Sequence, residues 1–305
     1  MPTSAPIPSP DELWKELIER LPDELCAFLL PETYPQIDWD KPPISLEQEM
    51  HHLFPDSEES QRYNDKLFRV HLKNGEEKWL LVHIEVQGYS DKSFPWRMFT
   101  YFYRARDRYG VDMESIALFT DKYPGETARP YHYRSETVEL HYQYRMFKLI
   151  DQSLEELEAR SDNLFALALL AARYMLEEGH DKVDTLRFKQ KLFRLMLAKG
   201  HGRKSIEKLF IFIDYIVKLP APEQEAFHKT VRTTLKQEET MPLSIKDTPT
   251  MRSILAQERK EGEEIGERKG EQQATAKEKQ KREAAIRIMH KEGVGIDLIA
   301  RAFAI

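Results

Sequence analysis

Residues 78–87 read Lys-Trp-Leu-Leu-Val-His-Ile-Glu-Val-Gln, an apolar run that ends in a carboxylate and an amide two positions apart. Strand side chains alternate between faces with period two. Leu80, Val82, Ile84 and Val86 therefore share one face, and Trp79, Leu81, His83, Glu85 and Gln87 the other. The first face is predicted to pack on a core, and the second to turn toward a cleft at its far end. The upstream stretch alternates in the same way, with Phe68, Val70 and Leu72 apolar and Asp65, Arg69 and His71 opposite them. Between the two lies Lys73-Asn-Gly-Glu-Glu77, a turn signal in which Gly75 can take a positive φ. Loop length sets the register. A two-residue loop at Asn74 and Gly75 would oppose Asp65 to Ile84 and mix the faces, so a three-residue loop is predicted, with Asp65 beside or diagonal to Glu85. Such neighbours lie roughly 5 to 8 Å apart, and two carboxylates at that range repel unless a metal or a proton intervenes. The pair is a candidate metal site.

The pattern elsewhere extends this hairpin into a larger sheet. Residues 1–10 read as a flexible Pro/Ser lead. Leu13, Leu17, Ile18, Leu21, Leu25 and Leu29 fall at helical spacing and predict one amphipathic helix over 11–30. Residues 31–60 are Pro-rich and acidic, a loop with a short element around Leu46 to Met50. A helix from about Pro95 to Tyr109, stopped by Gly110, precedes an apolar strand from Ser115 to Thr120. Val138, Leu140, Tyr142, Tyr144 and Met146 alternate as a further strand or two. From 153 to 236 the period becomes helical, with turn signals at Gly179, Gly200 to Gly202 and Pro220. The class is α/β: a mixed sheet with a crossover helix, flanked by helices, then a helical region and a charged helical tail. The predicted boundaries are 11–150 for the core, 151–240 for the helical region, 241–282 for a charged linker or helix and 283–305 for a short helical hairpin. Gly262, Gly266 and Gly270 recur every four residues in the tail. A helix with a glycine stripe and a fraying linker both fit them. The last segment, joined through Gly293-Val-Gly295, reads as a helical hairpin or a helix-turn-helix shape.

Charge and composition narrow the chemistry. The net charge of −6 carries no global basic signature, so nucleic-acid contact would need local patches and metal. Cys26 is the only cysteine, which excludes a disulfide framework and a cysteine-cluster metal site. The start lacks a basic region followed by an apolar one, and no run of about 18 apolar residues occurs. A cytoplasmic protein with no membrane partner is expected. Phosphate-loop, dinucleotide and serine-elbow motifs are absent from the sequence. His51, His52, His71 and His83 lack the spacing of a metal cluster and read as structural.

One local patch stands out on the crossover helix. Arg97, Tyr101, Arg104 and Arg108 follow i, i+4, i+7, i+11, with Met98, Phe99, Phe102 and Ala105 predicted to bury on the opposite side. Guanidinium groups grip phosphate oxygens in a forked geometry, so Arg97, Tyr101 and Arg104 are candidate phosphate contacts. The same stripe also suits a solvated, ion-paired face.

Four segments together carry a family resemblance: Asn64-Asp65-Lys-Leu-Phe-Arg-Val, Leu81-Val-His-Ile-Glu85-Val-Gln87, Phe94-Pro-Trp-Arg97-Met-Phe-Thr-Tyr101-Phe and Ile116-Ala-Leu-Phe-Thr-Asp121. In order and spacing they resemble the recombination-promoting nuclease and putative transposase family, of the PD-(D/E)xK nuclease superfamily, over roughly residues 11 to 240. The resemblance implies a restriction-endonuclease-like core and a Mg²⁺-dependent DNA endonuclease linked to recombination or transposition. Asp65 and Glu85 would hold one or two ions, joined by the carbonyl of Val86 and by Glu49, where similar proteins often place an additional acid. Gln87 stands where the superfamily signature has Lys, as is common in this family. Two rival readings stay open: a degenerate nuclease fold that binds DNA or protein without cutting, and a self-associating protein driven by its C-terminal tail.

Overall fold

The computed structural model describes residues 8–46, 65–85, 93–120, 122, 129–177, 179–198, 201–237, 248 and 250, and scattered positions between 259 and 289. The chain divides into two compact units, Met1–Thr250 and Met251–Ile305.

In the first unit, strands β1 (Ile44–Ser45), β2 (Asp65–His71), β3 (Glu77–Glu85), β4 (Asp112–Phe119) and β7 (Arg145–Lys148) form a five-stranded sheet in the order β1-β2-β3-β4-β7. β1, β2 and β3 pair antiparallel, whereas β3–β4 and β4–β7 pair parallel. This is the mixed sheet predicted from the sequence. β5 (Tyr131–Arg134) and β6 (Glu139–Tyr142) form a separate two-stranded hairpin, so the predicted alternation over 138–146 is divided between two sheets.

The β2–β3 connection follows the three-residue expectation. Gly75 adopts φ 91° and donates its N–H to the Leu72 carbonyl at 2.9 Å, while Asn74 Oδ1 accepts from the Glu76 N–H at 2.9 Å. The resulting register pairs Leu67 with Leu81 and Phe68 with Leu80.

A parallel β3–β4 pair requires a crossover, and helix α3 (Phe94–Tyr109) supplies it. Pro95 occupies its first turn, where a missing N–H costs nothing, and Gly110 ends it in the left-handed conformation at φ 64°. Met98, Tyr101 and Ala105 of α3 bury against Leu67, Trp79, Leu81, Ala117 and Phe119 of the sheet.

The N-terminal segment is two helices rather than the single one predicted: α1 (Pro10–Arg20) and α2 (Pro22–Leu29). The break falls at Leu21, because Pro22 cannot donate to the helix and disfavours helical backbone in the residue before it. A capping box between Ser9 and Glu12 opens α1. Trp14 of α1 packs edge-on against Phe212 and Phe165, at 4.6 and 6.2 Å between ring centroids. These rings belong to α7 (Arg203–Ile216) and α5 (Leu164–Leu176). With α4 (Leu154–Ala159), α6 (Lys182–Leu197) and α8 (Ala221–Gln237), they form the helical region that follows the sheet. Cys26 is fully buried in α2 as a core residue, and burial pushes its thiol up to about 12.

In the second unit every described position from Arg259 to Met289 is helical. No helix among the described residues is long and apolar enough to cross a membrane.

Candidate functional site

Asp65 opens β2 and Glu85 closes β3. The backbone register sets Asp65 opposite His83, and Glu85 two residues further on is its diagonal neighbour, at a spacing of about 7 to 8 Å in an antiparallel pair. Strand alternation counts both acids to the face of Leu67, Trp79 and Leu81, which α3 covers. Glu85 also pairs in parallel register with Phe119 at the end of β4. Two acidic residues thus share one end and one face of the sheet. Glu49, Val86 and Gln87 lie outside the described residues. Among the described residues, no three His, Cys, Asp or Glu side chains gather as a metal site.

The first turn of α3 brings Arg97 to this end. Phe94 packs on Phe119, the backbone partner of Glu85, at 5.4 Å between centroids. The Arg97 guanidinium lies 5.2 Å from the centroid of that Phe94 ring, a cation–π contact. Residues 11–118 match the family described as putative transposase, YhgA-like. This is the recombination-promoting nuclease and transposase group of the PD-(D/E)xK type. The transposase-like match runs from α1 almost to the end of β4, so it takes in Asp65, Glu85, Arg97 and Tyr101. It bears out the resemblance over that stretch, about a third of the chain. No curated protein and no solved structure matches the chain.

Within the transposase-like segment, α3 faces differently from expectation. Tyr101 lies on the buried side with Met98 and Ala105, at 5% exposure, and not on an open basic stripe. Relative to the predicted facing the helix is turned by roughly 60° about its axis, at about 100° per residue. The cause is a second aromatic layer. Phe99 and Phe102, predicted to bury against the sheet, instead meet Tyr142 of the β5–β6 hairpin at 5.7 and 5.0 Å. Tyr101 takes the place against the sheet that they leave. Arg104 is exposed, seven residues beyond Arg97, which is about 10.5 Å further along the axis. The structure therefore sets the backbone positions of Asp65 and Glu85 and the first turn of α3 at one end of the sheet, buries Tyr101 against the sheet and leaves Arg104 exposed further along the helix.

The hairpin holds α3 through a hydrogen bond to the sheet. Tyr142 donates to Ser115 Oγ at 2.8 Å, and burial pushes its phenol up to about 12. Tyr144 donates to the Arg129 carbonyl at 2.9 Å. Lys66, beside Asp65 in sequence, is buried and pairs with Glu19 of α1 at 3.1 Å.

A second charged cluster escaped the sequence reading. Lys189 of α6 and Asp214 of α7 are both fully buried and form an ion pair of 2.8 Å. Lys189 also donates to the carbonyls of Val217 at 2.8 Å and Asp214 at 3.3 Å. Its ammonium lies 4.8 Å from the Phe227 ring centroid. Thr250 donates its N–H and its hydroxyl to the Asp214 carboxylate, and Gln224 donates to Thr250 Oγ1 at 2.7 Å. Burial pushes the Asp214 carboxyl up, but the Lys189 charge and the bonds from Lys189 and Thr250 together hold it below the usual carboxylate range. Thr248 and Thr250 fall in the stretch read as charged linker, yet both are buried in the first unit. The only sequence signal was a pair of opposite charges on neighbouring amphipathic helices, 25 residues apart.

Proposed function

We propose that this protein is a Mg²⁺-dependent DNA endonuclease acting in recombination or transposition, in the cytoplasm. The observation that carries the reading is the β2–β3 register, which sets Asp65 and Glu85 diagonally at one strand end beside the first turn of α3. The similarity of residues 11–118 to the YhgA-like transposase family supports it. The donor set fits Mg²⁺: two carboxylates, the Val86 carbonyl and Glu49 are hard oxygen ligands, and none is the sulfur or imidazole that zinc prefers. One or two ions would be held there, and when bound they supply Lewis acidity at the scissile phosphate. Arg97 grips a phosphate oxygen and fixes the strand across the site, with Arg104 holding the backbone further along the helix. Gln87 orients the attacking water or a phosphate oxygen by hydrogen bonding, without the charge a Lys would bring. Tyr101, buried against the sheet, acts by holding the helix and reaches phosphate only through its hydroxyl. The tail beyond Thr250 serves self-association or DNA affinity and takes no part in the chemistry.

Plasmid nicking by the full chain tests the reading. Nicking is expected with Mg²⁺, and its loss is expected with EDTA and in Asp65→Ala. Undiminished nicking by Asp65→Ala would move the active site elsewhere. Mg²⁺ binding without nicking by the wild type would favour the binding-module alternative.

A further inference from the structure

The outer side of α3 carries Trp96, Phe99 and Tyr103 at i, i+3, i+7, one aromatic stripe along the helix. Burying such rings is worth a few kcal/mol each, yet Trp96 is 53% and Tyr103 54% exposed. They are nevertheless held in place. Phe99 stacks on Tyr103 at 6.1 Å and 21° between planes, and on Tyr131 at 5.1 Å and 16°, making a column of three near-parallel rings. Trp96 leans on Tyr131 at 5.2 Å. Tyr133, on the same hairpin face as Tyr131, is 49% exposed and extends the surface. The inner rings fix the outer ones, which leaves broad aromatic surface open to solvent.

The charge around the stripe is opposite in sign to that of the whole chain. Helix Phe94–Tyr109 carries four arginines against one aspartate, and residues 129–148 carry three arginines and a lysine against two glutamates. Yet the chain is −6 overall. The stripe begins in the same helical turn that brings Arg97 to the Glu85 end of the sheet.

We infer that this face binds single-stranded nucleic acid, with unpaired bases stacking on Trp96 and Tyr103 and phosphates tracking the basic helix and hairpin. Every base offers a flat π-face, and an aromatic surface in a positive field is the arrangement that holds single strands without sequence preference. Bases in a duplex are already stacked on one another and cannot use it. Aromatic rings and arginines also anchor protein interfaces; the excess of positive charge on this helix and hairpin, in a chain of net charge −6, favours a polyanion as the occupant. The inference extends the DNA-processing reading and rests on it for the choice of strand leading into the acidic end.

The test is fluorescence anisotropy of a labelled oligothymidylate against a labelled duplex of equal length, on the full chain and in EDTA so that cleavage plays no part. The wild type is expected to bind the single strand more tightly. Trp96→Ala and Tyr103→Ala should each weaken it by about 5- to 100-fold, with Trp96→Phe and Tyr103→Phe largely retaining it. Both positions are more than half exposed and each loses only its contact with neighbouring rings, so the melting transition should fall by no more than a few degrees. Single-strand binding that neither alanine variant weakens would overturn the inference, as would equal binding of the duplex. So would loss of self-association in Trp96→Ala with oligonucleotide binding unchanged, which would mark a protein interface. Nicking assays on the same variants separate the two readings. Nicking lost in Asp65→Ala, with Trp96→Ala binding as wild type, leaves the nuclease standing without the stacking face; the reverse leaves the stacking face without the nuclease.

Discussion

The end of the β2–β3 hairpin and the interior of the helical region use the same kinds of residue in opposite electrostatic settings. At the hairpin end two acids are placed as diagonal neighbours. Between α6 and α7 one acid meets one base at 2.8 Å, backbone carbonyls, Thr250 and the Phe227 ring surround the pair, and both side chains are fully buried. A charge whose partners all lie within the protein is bound into the fold. Two like charges set near each other call for something from outside. The difference separates a structural polar cluster from the proposed site, although each would be counted alike as a pair of ionisable residues.

Removing one partner of the buried pair should have the largest effect on the fold. Lys189→Ala leaves the Asp214 carboxylate without its counter-charge and is expected to cost about 3 to 5 kcal/mol of stability, read as a lower midpoint in thermal or urea unfolding. Nicking well below the melting range should persist. Replacing both members with apolar residues, Lys189→Met with Asp214→Leu, should restore much of the loss. A Lys189→Ala variant as stable as the wild type would remove the structural half of the comparison.

The hairpin end should respond in activity and not in stability. Gln87→Ala is expected to slow nicking by about 10- to 1000-fold, the range for losing one positioned donor, with Mg²⁺ affinity little changed. Gln87→Lys should retain or raise the rate, because it adds charge at the same phosphate oxygen. Nicking at the wild-type rate by Gln87→Ala would leave the amide without a catalytic role.

Much of the hairpin could be read from the sequence because two independent local rules agreed. Only a three-residue loop with Gly75 at positive φ keeps Leu67 opposite Leu81. The crossover helix and its Gly110 stop were legible for the same kind of reason. Its facing was not, since periodicity gives an apolar side but not what covers it. The β5–β6 hairpin took Phe99 and Phe102, and Tyr101 went to the sheet in their place. Pro22 outweighed the heptad-like leucines of the first segment, where the spacing of Leu21 and Leu25 hid a helix break. Lys189 and Asp214 were illegible because an amphipathic pattern assigns charges to the solvated side, and their pairing depends on two helices meeting. Strand alternation and helical spacing already picked out the two acids and Arg97, and the family resemblance added the order in which they follow one another along the chain.

A smaller effect is expected where the first unit ends. Thr250→Val removes a hydroxyl that donates to Asp214 and accepts from Gln224, at a cost of about 1 to 3 kcal/mol. A chain ended before Thr248 should lose at least as much, while one ended after Thr250 should melt as the full chain does. Acid should act through the same group. The Asp214 carboxyl is held below its unfolded value, so its contribution is full above about pH 4 and is lost as the pH falls through the folded value. Unfolding midpoints measured down the acid range should therefore drop less steeply in Asp214→Asn than in the wild type. Parallel acid profiles would sink this assignment.

The central claim is that Asp65 and Glu85 hold one metal between them, and titration calorimetry with Mg²⁺ tests it most directly. The wild type should bind; Asp65→Asn and Glu85→Gln should each lose most of that affinity; and the double variant should lose little more, because either change dismantles the same site. Mg²⁺ binding that survives intact in the double variant would contradict the account.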